Sequence, residues 1–460
     1  MSAGWDLCVV GGGSGGFGAA CAAARLGARV LLLEAADGLG GTSTRAGVNN
    51  YEPVAGATGL PQEVYERLRQ IPDAVALQEP WVSYTPEKPW GWMVPAKQTD
   101  YRLSLSRRSG VAIAFEPAVL DRVMRQMLHE AGVEVRLQTR FTGAERAGRR
   151  IQAIGVEGPS GAGRVEAAVF IDATADIYLA RAVGCRTAIG SDTATEYGEA
   201  DAGPTRELAL NNASLCYRVA RLQAGEAPTV EAAPPGFDLE SIRPVTSIRT
   251  YPNGDLNMNP LHIMSGVEAY QLGTAARDEA LQRVQAHWHI LQARYGFDGW
   301  KRVWTSPALG VRETHRLVAR YVLRQQDLDA GLAGQEHEDL VALADHAVDF
   351  HGARPSRELE AGPYGVPFRC LLPQEIDNML VACRGAGFSS IAASSCRLSR
   401  TMMVLGQAAG TAAALFGRAV AEFDAPRLRE QLRRDGVALE LDTGYLDALS
   451  DIEPMRPPRW

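Results

Sequence analysis

The first apolar run, Leu7 to Val10, is short, rich in β-formers and stopped by Gly11, the pattern of a buried strand. After a glycine-rich turn, "FGAACAAARLG" has helical composition and ends at Gly27, a natural helix stop. "RVLLLE" then returns to strand composition, so the chain opens on a βαβ unit. Residues 118 to 130 ("AVLDRVMRQMLHE") repeat apolar positions at helical spacing, and "VEVRL" after them predicts a strand rejoining the same sheet. From 148 to 173, "GRRIQAIGVEGPSGAGRVEAAVFIDA" alternates like an antiparallel meander with a Ser/Gly turn. The pattern predicts an α/β protein with a parallel sheet and a β-meander, and no internal repeat is apparent.

Composition narrows the picture. At 460 residues, 46% apolar and 22% charged, the chain is long enough for two or three structural units of ordinary globular composition. A net charge of -7 without a block of like charges argues against a nucleic-acid partner and for a small-molecule substrate. Asp6 interrupts any signal core, and we read no uninterrupted apolar span of membrane length, so the expectation is a cytoplasmic protein without a membrane partner. The seven cysteines form no CxxC pair and fit reduced, buried thiols. A homo-oligomer is left open.

Gly11, Gly13 and Gly16 fit G-x-G-x-x-G at a strand-to-helix turn, with Ser14 and Gly15 between them. The first glycine permits the tight turn, the second lets a pyrophosphate approach the backbone, and the third allows close helix–strand packing. Glu34, at the end of the second strand, is placed to accept hydrogen bonds from ribose hydroxyls. These residues predict a dinucleotide site and leave NAD or FAD open.

Later segments carry a resemblance. "GLGGTST" (38 to 44), "VFIDATAD" (169 to 176) and "NMLVACRGAGFSS" followed by "RTMMVLGQAAGTAAAL" resemble the glutathione-reductase-like superfamily of FAD-dependent oxidoreductases. "NGDLNMNP" (253 to 260), "GVRETHRLVARYVL" (310 to 323), "DFHG" (349 to 352) and "YGVPFRCLLPQEIDNMLVAC" (364 to 383) are similar to one branch of largely unassigned substrates. The resemblance implies FAD, held by Gly11, Gly13, Ser14, Gly15, Gly16 and Glu34, by Gly40, Gly41, Thr42 and Ser43, and by Phe141, Ala173 and Thr174. Near the flavin it adds Arg384, Gly385, Arg397, Arg400 and Gln407. Ala175 stands where relatives have a turn glycine, and Cys383 and Arg384 stand where many have Gly-Asp. Residues 42 to 50 hold no histidine, so the flavin is expected to be noncovalent.

The cofactor segments are scattered, so the FAD-binding domain is expected to be discontinuous: 1–50, 105–190 and 365–420. Residues 51–104 and 191–364 would form an inserted α+β substrate domain over the flavin, and 421–460 a C-terminal helical appendage. Flavin does the redox chemistry, so the protein must place the substrate and supply a base. His351 is the first choice, because imidazole titrates near neutrality, and His262 the second. Tyr364 is a candidate hydrogen-bond donor, and Arg312 would either anchor a carboxylate or pair with a neighbouring acid to hold the fold. A helix opening near Ser399 and Arg400, with Arg397, would stabilise reduced flavin, or these arginines are ordinary ion pairs. His287 and His289 are two apart and cannot share a metal, and no metal site is expected. Trp81, Tyr84, Trp90, Trp92 and Tyr101 would form either an aromatic wall for a ligand or loop packing.

Three functions remain. The first is an FAD-dependent dehydrogenase or oxidase taking a hydride from a small organic substrate; only one G-x-G-x-x-G unit is visible, which disfavours a reductase with a second nicotinamide domain. The second is a flavin monooxygenase using NAD(P)H, and the third a non-catalytic binding protein on the same fold.

Overall fold

A computed structural model describes residues 4–352 and 355–441. The opening unit forms as the pattern predicts: β1 is Trp5–Val10, α1 is Ser14–Arg25 and β2 is Val30–Leu33. They belong to a five-stranded sheet in the order Met379–Val381, Ala167–Asp172, β1, β2, Glu134–Arg136. Every neighbouring pair in it is parallel, and the register aligns the strand ends. Val10 faces Asp172 and Leu33, Asp172 faces Val381, and Leu33 faces Arg136. Five strands thus end at one carboxyl edge, where a doubly wound sheet opens its ligand crevice. Between the second and fourth segments lie the helix Pro117–Glu130, begun by proline in its first turn, and a three-stranded antiparallel meander over Arg140–Val165.

Two glycine-lined helices cross beneath this edge. α1 packs backbone to backbone on the helix Ser399–Phe416: a Cβ on Gly18 would stand 2.2 Å from the Met403 carbonyl oxygen, one on Gly406 2.0 Å from that of Gly15, and one on Gly410 2.0 Å from that of Ala19. Residues from Ser399 to Glu422 are long and apolar enough to cross a membrane, a span that our reading of the sequence missed. Burial within the fold accounts for that composition, since Arg400 through Ala413 are all buried.

The second large sheet has eight strands, in the order Trp300–Thr305, Tyr217–Arg221, Leu256–Pro260, Thr246–Thr250, Trp90–Pro95, Val75–Val82, Ala112–Phe115 and Asn50–Tyr51. One face of it packs on the helix Ala276–Tyr295 through Trp90, Tyr217, Met258 and Trp288. The other face of Leu256–Pro260 is polar: Asn257 donates to the Gly47 carbonyl at 2.8 Å, and Arg249 on the neighbouring strand pairs with Glu52. This sheet is therefore fastened to the loop that leaves the glycine-rich crevice.

The aromatic segment serves packing. Trp90 and Trp92 meet Phe297 at centroid distances of 5.4 and 6.2 Å, whereas Tyr101 lies in the other core and donates to the Ala57 carbonyl at 2.6 Å. Trp81 is 65% exposed and meets Trp92 edge-on, while Tyr101 lies in the other core, so no single aromatic wall forms. The C-terminal appendage begins as the helix Ala425–Arg434; its residues 442–460 lie outside the described residues.

All seven cysteines are buried, and burial pushes the Cys8, Cys216 and Cys396 thiols up to about 12. A thiol is reactive through its thiolate, so the native chain is expected to react with a disulfide reagent at essentially none of the seven, and at all of them in denaturant. Rapid native labelling would contradict this packing.

Candidate functional site

A crevice of about 300 Å³ opens at the carboxyl edge of the parallel sheet. Each glycine at its floor has a different reason. Gly11 has φ +104°, and a Cβ there would stand 2.4 Å from the Ala173 carbonyl oxygen. Gly15 and Gly16 are fixed by packing, with Cβ positions 1.9 Å from the Ala382 oxygen and 1.8 Å from the Gly11 oxygen. Gly13 has ordinary extended angles and nothing within 4 Å of a built Cβ. Nothing inside the protein requires glycine there; the open space above its backbone suits a group that must lie against main-chain amides.

The electrostatics fit the same group. Gly13 is the N-cap of α1, yet no side chain caps that helix and no acid lies in its first turn. The helix Ser399–Phe416 likewise starts without a side-chain cap, and its Ser399 and Met402 line the crevice. Two uncapped helix N-termini present free N–H groups and positive dipole ends, a setting for a diphosphate and an electron-rich ring. Glu34 lines the crevice, its carboxylate oriented by N–H groups of Gly12 at 2.6 Å and Ala36 at 2.7 Å.

Most residues named by the resemblance come together here. Gly11, Gly13, Ser14, Gly15, Glu34, Gly41, Thr42, Ala173, Thr174, Arg384 and Arg397 line the crevice. Gly40 supports it by donating to the Gly12 carbonyl at 2.8 Å with φ +89°, and Ser43 by a 3.1 Å hydroxyl contact with Ser399. Gly385 is close-packed against Ile177 and the His315 carbonyl. Three expectations need correction. Arg400 is buried and ties its helix to remote segments, donating to Tyr101, Ser104 and the Glu52 carbonyl, because one residue beyond Ser399 the helix has turned about 100° away from the crevice. Gln407 accepts from the Leu60 N–H at 3.1 Å on the far side of that helix. Phe141 lies on the meander strand and packs half-buried on the core.

Asp172 and Ala175 carry information that the motif did not. The Asp172 carboxylate is fully buried and accepts from the Thr174 amide at 3.0 Å, the Thr174 hydroxyl at 2.7 Å and the Ala180 amide at 2.9 Å, while burial raises its pKa. It ties the end of its strand into a turn in which Ala175 has φ +67° and Ile177 φ +48°. The glycine-like turn therefore forms without glycine, at a strain of about 1 kcal/mol for the alanine. Ala175→Gly is expected to raise stability by about 0.5–1 kcal/mol, read as a higher urea midpoint; a lower one would show that the turn is unstrained.

A polar cluster closes the far end. Arg397, in the crevice wall, reaches Asp349 at 3.3 Å, and Asp349 holds Nε2 of His351 at 2.6 Å. Asn212 links the remaining candidates: its side chain donates to Nδ1 of His262 at 2.9 Å, its amide to the His351 carbonyl at 3.2 Å, and its carbonyl accepts from Arg312 at 2.5 Å. His351, His262 and Arg312 thus share one site. Burial, then Arg312 and Arg397, push the His351 pKa well down, so its ring is neutral rather than poised near neutrality. Burial and the charges of Arg243 and Arg312 also lower the His262 pKa. Burial opposes ionisation of Asp349, but the His351 hydrogen bond and Arg397 hold its pKa far below normal. Tyr364 does not belong to this set: it is fully buried, with its hydroxyl 2.7 Å from that of Ser395. Sequence reasoning missed Asp349 and Asn212; only the spacing of Asp349, two residues before His351 in "DFHG", offered a signal.

Comparison with curated proteins yields no match. Among solved structures the chain is similar to a myxobacterial FAD-dependent halogenase (14% identity, TM-score 0.43, covering 94% of this chain and 79% of that one). It is also similar to a geranylgeranyl bacteriochlorophyll reductase-like protein of Thermoplasma acidophilum (11%, 0.43, 98% and 97%). A p-nitrophenol 4-monooxygenase of Pseudomonas putida matches at 12% and 0.42, over 99% and 85%. A family model described as FAD dependent oxidoreductase matches residues 6–432. The chain belongs to the FAD dependent oxidoreductase family.

Proposed function

We propose that the protein is a dehydrogenase or oxidase that removes a hydride and a proton from a small organic molecule. FAD, when bound, supplies the acceptor for the two electrons. The observation that carries the reading is the oriented, neutral imidazole of His351 beside the crevice wall. With Nε2–H donating to Asp349, Nδ1 has no hydrogen-bond partner among the described residues and is left to take the substrate's O–H or N–H proton, and the Asp349 carboxylate stabilises the imidazolium that forms. Arg397 keeps that carboxylate ionised and fixes it against the crevice. The uncapped start of the Ser399–Phe416 helix favours negative charge arriving on the ring side.

The test is anaerobic mixing of the FAD-loaded protein with alcohols, amines, sugars and carboxylates in the absence of nicotinamide. One of these classes is expected to bleach the visible flavin absorbance. Bleaching by NADPH alone, coupled to hydroxylation in air, would replace this reading by a monooxygenase.

A further inference from the structure

Arg312 stands apart in its surroundings. Arg397 has Asp349, Arg384 has Asp176 at 2.7 Å, and Arg316 has Asp192 and Glu313. Arg312, half-buried, has no carboxylate within ion-pair distance among the described residues. It donates only to neutral acceptors, the Asn212 carbonyl at 2.5 Å and the Ser214 hydroxyl at 3.0 Å. Burial, and then the charge of Arg397, lower its pKa to about 10. A half-buried guanidinium held by neutral dipoles beside a second arginine gains from an anion that completes the site.

Three further observations place that anion. The carboxylates nearest the two guanidiniums among the described residues are already engaged, Asp349 by Arg397 and His351 and Glu313 by Arg316 and Asn211. Nε of Arg397 is buried with no hydrogen-bond partner, an orphan donor facing the same cluster. Ser214 forms an isolated bridge with Gly310, where a Cβ would lie 3.7 Å from Ala46 and 4.0 Å from Val48, in the loop that leaves the crevice at Gly41 and Thr42. Arg312, which donates to Ser214, therefore lies beside the loop that leaves the crevice.

We infer that this site takes a small carboxylate, bound by the planar fork of Arg312 with His262 beside it, and that the substrate oxidised is such an acid or its hydroxy or amino derivative. The inference rests on the function proposed above for the choice of substrate, but the binding does not. A carboxylate matches the guanidinium fork bidentately. It also cancels the charge that, after burial, most depresses His351, so binding the correct substrate makes the base stronger.

The test uses the FAD-loaded protein and acetate as probe, with chloride at equal ionic strength and acetamide as controls. Acetate is expected to raise the thermal midpoint by several degrees and to perturb the flavin absorbance, with acetamide and chloride giving neither. Arg312→Gln, which removes the unpaired charge, is expected to retain FAD, to be at least as stable as the parent, and to lose the acetate response tenfold or more in apparent affinity. Equal responses to acetate and acetamide, or an undiminished acetate response in Arg312→Gln, would overturn the inference. Should Arg312→Gln fail to fold, the acetate against acetamide comparison on the parent decides alone. A protein that binds acetate yet is bleached by no substrate class would sink the redox reading and leave the carboxylate site standing.

Discussion

Gly13→Ala is expected to leave the fold intact and to abolish most FAD binding. Position 13 has φ -68° and ψ -172°, which alanine adopts freely, and a Cβ there meets nothing within 4 Å. Unfolding stability without FAD should therefore stay within about 0.5 kcal/mol of the parent. The added methyl projects into the crevice and lifts any diphosphate off the N–H groups that open α1, so affinity should fall at least tenfold, about 1.4 kcal/mol. Flavin content after dialysis and a fluorescence titration with FAD measure it. An alanine variant that retains full flavin would mean that the pyrophosphate does not lie against residue 13.

The second large effect comes from the helix crossing. Gly406→Val would push two methyl groups toward a carbonyl oxygen of α1 that already lies 2.0 Å from the position of a Cβ. Main chain cannot rotate aside as a side chain can, so the helices must separate; the loss is expected to be about 3 kcal/mol or more, with Gly406→Ala intermediate. FAD content should fall in step, because Gly15 in α1 also sets the crevice floor. Thermal midpoints of the Ala and Val variants give the gradation. Equal stability of both variants would show that the helices are not in backbone contact.

The two glycines illustrate different kinds of legibility. Gly13 belongs to a local motif, since turn, helix start and ligand all lie within a few residues, and the spacing alone carries it. Gly406 and Gly410 sit in a run that reads as an ordinary apolar helix, and nothing local says that their partner is α1, nearly four hundred residues earlier. Arg400 shows the same limit from the other side. Its position in sequence suggests the flavin, but the angle per residue of a helix points it at Tyr101 and Ser104 instead.

What the sequence determined by itself was local: the βαβ unit, the glycine turn with Glu34, the meander, and the presence of buried thiols, because periodicity and turn chemistry act over short distances. The family resemblance followed from those motifs taken in order. Tertiary structure alone decided which distant polar groups meet. Asn212 brings His262, the His351 backbone and Arg312 together, Asp349 joins His351 to Arg397, and Tyr364 is sealed away. The charge state of each of these groups depends on burial and on neighbours supplied by remote segments, and neither quantity is written in the order of residues along the chain.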